Sequence, residues 1–402
     1  WYVLCLITPT PVSVLLAVIS TTTAARILAV FPMPSISHQV VFRQITRELV
    51  NRGHEVVVIT TDPEYNTGKT PANLTEIDVH DVGYQTWVKV ITKELAGNPA
   101  DMVTQMKALI KSIGSFFEAE MQTEVVKELI NKKKGNFDLL ITELCIRPSL
   151  GFSHIFKVPL IQVSTMDVPS LNELKENVHM TMLNIHPIWT DNQPVPPSLV
   201  YIGGIHKSPV KPLLEVSFRS KRFWYNFNDD LIILNIHLFP HTRVLGHPKV
   251  KLFITQGGLQ STDEAIIGGV PLIGIPIMGD QYYNAENIFI NGNFILSPYK
   301  IMFIFSYRMN IIKLRRVMDD QPQEALTRAI WWIEYVLRHG GAEHLRPPTA
   351  NMPLYDYLEM DLVIFVVSLA FATISAIVII AYLLWTFCCK RDNVVNEKHK
   401  ST

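Results

Sequence analysis

The sequence predicts an α/β protein with two domains, each built on a parallel sheet, followed by one membrane-spanning helix. Two strand–turn–helix–strand segments predict the domains, the first at residues 26–60 and the second at residues 253–281. An uncharged apolar run at residues 362–387 predicts the membrane helix. A chain of 402 residues with 48% hydrophobic content is long enough and apolar enough for both domains and the helix.

The charge balance and the cysteines exclude several classes of function. Lys plus Arg and Asp plus Glu both number 36, so the chain lacks the basic excess typical of nucleic-acid binding. Cys5, Cys388 and Cys389 belong to the apolar ends, which leaves Cys145 alone in the body and predicts no disulfide there. The His and Cys spacing has no metal-ligand pattern, so no metal site is expected.

The first 25 residues are apolar and uncharged and end in small residues before Arg26, which is typical of a signal peptide. The alternative is an N-terminal membrane anchor, although Pro9 and Pro11 disfavour a long helix.

The first α/β segment places a histidine at the functional edge of its sheet. We predict strands at residues 26–31 and 55–60 and a helix at residues 38–51 between them. Ligands bind beyond the carboxyl ends of such strands, where His38 lies, and an imidazole can take a proton from a hydroxyl group. A solvated histidine in the first turn of a helix is the alternative.

A second candidate is Glu143, the last residue of the predicted strand at residues 137–143. A carboxylate beside a basic histidine orients the ring and stabilises the imidazolium. An exposed acid at the end of a strand is the alternative. His154, on a predicted helix, is interpreted as a surface or packing residue.

The segment at residues 253–281 carries a glycine turn between a strand and a helix. We predict a strand at 252–255, a turn at 256–258, a helix at 261–268 and a second apolar strand at 271–278. Backbone amides at the start of a helix can hold a pyrophosphate. A dinucleotide-dependent oxidoreductase would need a GxGxxG turn after the first strand, and residues 26–37 do not contain one.

Several segments resemble the UDP-glycosyltransferases. The run FITQGGLQSTDEAIIGGVPLIGIPIMGDQ at residues 253–281 resembles the signature of that family. FPMPSISHQ at 31–39 is similar to the segment with the catalytic histidine, and VYIGGIH at 200–206 is similar to the crossover into the donor domain. The resemblance implies the GT-B fold, with two facing Rossmann-like domains: an acceptor-binding domain at 26–199 and a UDP-sugar-binding domain at 200–358.

The resemblance also implies residue roles. His38 would be the general base and Glu143 its support. The implied donor-binding residues are Gln256, Gly257, Gly258 and Gln260 at the diphosphate, Glu264 at the ribose, Asp280 and Gln281 at the sugar, and His241 near the uracil. The implied reaction is an inverting transfer of sugar from a UDP-sugar to a hydroxyl of a small lipophilic acceptor, as in detoxification, with no cofactor or metal.

The chain also departs from the family pattern. Leu238 stands where the family usually has tryptophan, and His241 stands where it usually has glutamine. A Ser-x-Gly-Ser element is missing near residues 211–230, and the helical region after residue 167 is shortened. These internal gaps leave open an alternative function: a catalytically impaired membrane protein that is a non-enzymatic partner of intact transferases.

The C-terminal end predicts the cellular location. Acidic residues precede the apolar run at 362–387 and Lys390 and Arg391 follow it, which predicts a cytosolic tail at 388–402 and a lumenal body. Lys398 and Lys400 resemble an endoplasmic reticulum retrieval signal, and Asn73 begins a glycosylation sequon. We expect a single-pass type I protein of the endoplasmic reticulum membrane; a homo-oligomer, or a hetero-oligomer with related transferases, stays open.

Overall fold

A computed structural model describes residues 24–66, 68–95, 101–132, 137–164, 178–190, 193–206, 224–227, 230–234, 245–276, 281, 283–284 and 304–400. The chain forms two compact units, Trp1–Arg346 and Pro347–Thr402.

The first sheet is entirely parallel and has the strand order β3-β2-β1-β4-β5-β6-β7. Its strands are β1 (Arg26–Phe31), β2 (Glu55–Thr60), β3 (Leu74–Asp78), β4 (Leu139–Glu143), β5 (Leu160–Ser164), β6 (Val178–Leu183) and β7 (Leu199–Tyr201). The predicted bounds of β1 and β2 are confirmed. The boundary predicted between residues 199 and 200 lies inside β7, which pairs with β6 in this sheet.

Within the described part of the chain, five helices accompany this sheet: α1 (Ile36–Asn51), α2 (His80–Leu95), α3 (Met102–Met121), α4 (Glu124–Lys132) and α5 (Gly151–Phe156). The helix α1 begins two residues before the predicted start at residue 38, because Ser35 adopts the extended conformation of an N-cap. Its residues Val41, Ile45 and Leu49 are fully buried, as the helical spacing of apolar residues predicted.

The second sheet has the order β11-β10-β9-β8, with β8 antiparallel to β9 and the other pairs parallel. Its strands are β8 (Trp224–Phe227), β9 (Asp230–Leu234), β10 (Val250–Thr255) and β11 (Leu272–Gly274). The helices α6 (Leu259–Gly268), α7 (Ile304–Asp319) and α8 (Ala325–His339) follow in chain order, α6 between β10 and β11 and the other two after β11.

The helix α8 returns to the first sheet. Ala329, Ile330 and Ile333 are fully buried in the same apolar cluster as the buried face of α1. Arg52 at the end of α1 donates to the Glu334 carboxylate at 3.1 Å. Trp331 is 45% exposed, so the aromatic residues of α8 are only partly buried.

The second compact unit contains α9 (Leu354–Tyr357) and α10 (Met360–Lys400). The segment Met360–Phe387 of α10 is long and apolar enough to cross a membrane, by its length and composition. It includes the predicted span at residues 362–387.

Several predicted features lie outside the described residues. They are residues 1–23 of the signal peptide, residues 165–177, where the helical region is shortened, and the side chains Leu238, His241 and Asp280. Asn73 of the sequon is described, and its side-chain amide donates to the Val50 and His54 carbonyls, both at 2.9 Å.

Candidate active site

The paired strands β1 and β4 bring His38 and Glu143 together. The two strands run parallel with Val30 opposite Thr142, so their carboxyl ends meet at one edge of the sheet. His38 lies in the first turn of α1, after the loop that follows β1, and Glu143 is the last residue of β4. The His38 Nδ1 atom is hydrogen-bonded to Glu143 Oε1, across 105 residues of sequence.

This pair is shielded from solvent. The Glu143 side chain is fully buried and the His38 side chain is 11% exposed. In the neutral tautomer that donates from Nδ1 to a carboxylate, Nε2 carries the lone pair and is the basic nitrogen. The arrangement is therefore suited to general-base chemistry in which the carboxylate stabilises the imidazolium.

A third side chain, Cys145, contacts the same carboxylate oxygen. Its Sγ atom lies 3.2 Å from Glu143 Oε1. From the sequence, Cys145 was considered only for disulfide formation, and its contact with Glu143 was not predicted. The available signal was its position two residues after a strand-end acid.

Gln39 holds the loop between β1 and α1 in place. Its Nε2 atom donates to the carbonyls of Phe31 at 2.8 Å and Met33 at 3.2 Å, and its Oε1 atom accepts from Thr60 Oγ1 at 2.9 Å. Gln39 was not selected from the sequence, because only the structure shows that this amide is fully buried. Through these bonds Gln39 fixes where the first turn of α1 begins.

A second carboxyl group, Glu120 on α3, is buried near Glu143 and was also missed. Burial raises the pKa of Glu120 to about 9, with a further contribution from the charge of Glu143. A Cβ atom at Gly83 on α2 would lie 2.3 Å from Glu120 Oε1, so glycine at position 83 makes room for this side chain. Glu120 therefore keeps its proton at neutral pH.

The glycine turn between β10 and α6 forms the other side of the candidate site. Gly257 has φ of +86°, which favours glycine, and its amide already donates to Thr255 Oγ1 at 3.2 Å. Gly258 is the N-cap of α6, and a Cβ atom there would meet nothing within 4 Å. Because α6 begins at Leu259 rather than at the predicted residue 261, Gln260 lies in its first turn.

Gln260 connects the glycine turn to the first turn of α1. Its Nε2 atom donates to the Ser37 carbonyl at 2.6 Å, next to His38. On the other side of the turn, Gln281 Nε2 lies 3.5 Å from Gln256 Oε1. The structure thus groups five of the implied donor-binding residues: Gln256, Gly257, Gly258, Gln260 and Gln281.

Glu264 lies one helical turn further along α6. Burial raises its pKa to about 8, and the charge of Asp263 adds to this effect. Asp263 is fully buried and accepts from Trp189 Nε1 at 3.2 Å, a contact between α6 and the segment after β6. Sequence analysis did not select Trp189 or Asp263.

The described residues contain one group whose donor atoms are close enough together to hold a metal ion: His38, Glu143 and Cys145, within 4.8 Å of one another. In the structure the imidazole and the thiol are each hydrogen-bonded to one oxygen of Glu143. Protons therefore already join these groups, and no metal is assigned to them.

A cavity of about 620 Å³ lies elsewhere and is lined by His186, Pro187, Gln321, Pro322, Gln323 and Arg328. The Arg328 guanidinium donates to the Tyr201 carbonyl, to Gln321 Oε1 and to the Gln323 carbonyl. These bonds give Arg328 a structural role, and none of the implied site residues lines the cavity.

Comparison with known proteins places this geometry in a family. The sequence model of the UDP-glucoronosyl and UDP-glucosyl transferase family matches residues 232–400. An ecdysteroid UDP-glucosyltransferase of Spodoptera littoralis nuclear polyhedrosis virus is 28% identical over 499 positions, which cover 89% of this chain and 97% of that protein. Because 499 positions exceed the 402 residues of this chain, that relative has segments without a counterpart here. Human UDP-glucuronosyltransferase 2A1 is 33% identical over 54% of this chain and 43% of that protein.

Solved structures confirm the predicted GT-B fold. Arabidopsis thaliana UGT89C1, complexed with UDP-L-rhamnose, matches with a TM-score of 0.53 and 12% identity over 78% of this chain and 100% of that chain. The Streptomyces glycosyltransferase SsfS6 matches with a TM-score of 0.53 and 17% identity over 76% of this chain and 99% of that chain.

The family model and the sequence relatives are all named for transferases, which favours an enzyme over the non-enzymatic alternative. The predicted resemblance to the UDP-glycosyltransferases is therefore confirmed: the family model and the sequence relatives support a glycosyltransferase that uses a UDP-sugar.

Proposed function

We propose that the protein transfers a sugar from a UDP-sugar to a hydroxyl group of a small lipophilic acceptor, with inversion at the anomeric carbon and with His38 as the general base. The observation that carries the proposal is the hydrogen bond between His38 Nδ1 and the buried Glu143 carboxylate. A buried carboxylate in this position orients the imidazole and stabilises the imidazolium that forms when the ring accepts a proton.

The proposed reaction is a single displacement. His38 Nε2 takes the proton of the acceptor hydroxyl as the oxygen attacks the anomeric carbon. The bond between that carbon and the UDP oxygen breaks, and UDP leaves with the bonding electrons. Glu143 stabilises the imidazolium until its proton is released to solvent. Attack opposite the leaving group inverts the anomeric configuration.

The donor side of the proposal depends on the first turn of α6. The amides of Gly258 and Gln260 and the positive end of the helix dipole would face the diphosphate. The Gly257 amide is already bonded to Thr255, so it contributes less than the sequence implied. Glu264 would bind the ribose diol, and a carboxyl with a raised pKa can both donate and accept there.

We propose that the transfer needs no metal cofactor, since the helix amides can neutralise the leaving diphosphate. Transfer measured after dialysis against EDTA should equal that of the untreated protein. Loss of transfer that magnesium or manganese restores would contradict this.

An acceptor of apolar character fits the surroundings of the pair. Met33, Phe116 and Ile146 form a buried apolar cluster with Cys145 packed against it, directly beside Glu143. The viral relatives are named ecdysteroid UDP-glucosyltransferases, and an ecdysteroid is a lipophilic molecule with several hydroxyl groups. We therefore propose hydroxylated steroids and similar compounds as the first acceptors to test.

We propose that α10 anchors the protein in the endoplasmic reticulum membrane with the sheets in the lumen. The apolar segment Met360–Phe387 and the basic residues after it support this orientation.

The test of the proposed function is an acceptor screen with labelled UDP-glucose and UDP-glucuronate on detergent-purified protein. His38→Ala should lower the transfer rate by roughly 10²- to 10⁴-fold because the general base is lost. It should leave UDP affinity, measured by calorimetry, unchanged.

The matched control is His154→Ala, which removes an exposed histidine of α5 and should keep full activity. The anomeric configuration of the product, read by NMR, checks inversion. Activity in His38→Ala equal to the wild type would refute the role of His38.

A further inference from the structure

The turn after β4 directs Cys145 back onto the carboxylate of Glu143. Glu143 is the last residue of the strand, and the Ile146 amide donates to the Glu143 carbonyl at 3.3 Å. In this turn the Cys145 Sγ atom comes to 3.2 Å from Glu143 Oε1. That oxygen is the one bonded to His38 Nδ1, so two donors converge on it from different elements.

The surroundings keep the thiol in its protonated form. Cys145 packs against the cluster of Met33, Phe116 and Ile146, which comes from the loop after β1, from α3 and from the turn itself. Burial raises the pKa of the Cys145 thiol well above its usual value, and the charge of Glu143 and its hydrogen bond raise it further. A protonated thiol next to a carboxylate is a hydrogen-bond donor.

We propose that Cys145 is a positioning residue for the His38–Glu143 pair: its S–H group donates to Glu143 Oε1 and holds the carboxylate facing the imidazole. The inference depends on the proposed function, because it assigns Cys145 a part in the general-base step. Cys145 itself does not touch the substrate.

Two physical effects follow from this second donor. The carboxylate of a glutamate has three side-chain torsions, and a bond from its own turn restricts them to the orientation that meets His38. The oriented carboxylate in turn accepts the Nδ1 proton of His38, which sets the tautomer of the imidazole. The lone pair therefore stays on Nε2, where the acceptor hydroxyl must be deprotonated.

The first experiment compares Cys145→Ala with Cys145→Ser in the full-length protein. Alanine removes the donor, and kcat should fall roughly three- to tenfold, the range expected for one modest hydrogen bond. The KM for the UDP-sugar should not change, because the glycine turn is untouched. Serine restores an O–H donor of similar size, and kcat should return toward the wild-type value.

The kinetic result has clear alternatives. Wild-type kcat in Cys145→Ala would overturn the proposal. Equal losses in the alanine and serine variants would assign Cys145 to packing alone, since serine keeps the donor but not the apolar contact. A rise of KM without a change of kcat would also overturn it.

The second experiment does not depend on activity. The S–H stretching band in the infrared lies in a region with few other protein bands, and the difference between wild type and Cys145→Ala isolates the band of Cys145. A thiol bonded to a carboxylate should absorb at lower frequency than a thiol without an acceptor. Glu143→Gln should move the band to higher frequency, because a neutral amide oxygen is a weaker acceptor.

A band that does not move in Glu143→Gln would overturn the proposed hydrogen bond. The two proposals fail differently. Full activity of His38→Ala refutes the general base while the infrared band still reports the Cys145 contact. An inactive His38→Ala together with a fully active Cys145→Ala refutes only the role of Cys145.

Discussion

At the scale of single residues, two buried carboxyl groups, Glu143 and Glu120, differ in their hydrogen bonds and in their charge. The Glu143 carboxylate accepts hydrogen bonds from both His38 and Cys145. Neither oxygen of Glu120 has a hydrogen-bond partner among the described residues, and its pKa is raised to about 9. The neutral carboxyl of Glu120 beside the charged one of Glu143 avoids the repulsion that two buried charges would cause.

Glu120 should make the stability of the protein depend on pH. Its folded pKa of about 9 lies above the usual glutamate value of 4.5, so the folded state keeps a proton that the unfolded chain releases. Stability is therefore fully present below about pH 4.5 and is lost as the pH rises through about 9. Glu120→Gln removes this loss and should stabilise the fold at pH 7 by up to about 3 kcal/mol.

The measurement is the melting temperature in detergent at pH 5, 7 and 9. The advantage of Glu120→Gln over the wild type should grow with pH. Glu118→Gln, a change at an exposed carboxyl on the same helix, is the control and should show no such trend. A difference between Glu120→Gln and wild type that stays constant with pH would refute the prediction.

At the scale of elements, the starts of α1 and α6 position the two sides of the site. Ser35 and Gly258 are both extended N-caps, and each helix begins two residues before its predicted start. His38 and Gln260 consequently lie in the first turns of two helices that are joined by the bond from Gln260 to the Ser37 carbonyl. The side chain of Gln260 thus links the donor side of the site directly to the acceptor side.

The start of α6 supplies a test of the proposed diphosphate contact. Gly258 has φ of −62° and open space where a Cβ atom would be, so Gly258→Ala should fold normally. The added methyl group would occupy the space in front of the helix amides, and UDP affinity should fall roughly tenfold or more.

Calorimetric titration with UDP measures this effect. The control is Gly114→Ala on α3, where a Cβ atom also meets nothing within 4 Å, and it should leave UDP affinity unchanged. Equal UDP affinity in Gly258→Ala and wild type would argue against a diphosphate at this turn.

At the scale of the whole molecule, the chain keeps both sheets although its relatives contain additional segments. His38, the proposed general base, lies in α1 beside the first sheet, and the glycine turn follows a strand of the second sheet. The helix α8 packs back onto the first sheet. The apolar part of α10 belongs to the second compact unit, Pro347–Thr402.

The membrane anchor is testable on the intact protein. Expressed in cells, the full chain should stay in the membrane pellet after extraction with alkaline carbonate. The substitutions Ile374→Arg and Ile377→Arg at the centre of the span should each make the free energy of membrane insertion less favourable by about 3 kcal/mol. Together they should release the protein from the membrane. Leucine at the same positions is the control. Retention of the double arginine variant in the pellet would show that α10 is not the anchor.

Local sequence patterns predicted part of the regular structure and the resemblance to the family. Continuous apolar runs predict β1 and β2, and the helical spacing of Val41, Ile45 and Leu49 predicts the buried face of α1. Residues 253–281 carry the resemblance to the family. His38 and Glu143 were selected by the family resemblance together with their positions, one in the helix after β1 and the other at the end of β4. The local patterns placed the helix starts two residues late, since an N-cap depends on backbone conformation that periodicity does not show.

The contacts that make a site of these residues were decided only by the tertiary structure. Cys145, Glu120 and Gln39 are unremarkable in the sequence, and they matter because strand pairing and helix packing bring them to His38 and Glu143. The bond from Gln260 to Ser37 joins residues 223 positions apart. From the sequence alone we predicted the bounds of β1 and β2, the resemblance to the family and the two principal side chains. Long-range packing sets burial, charge state and mutual contact, because these depend on neighbours distant in the chain.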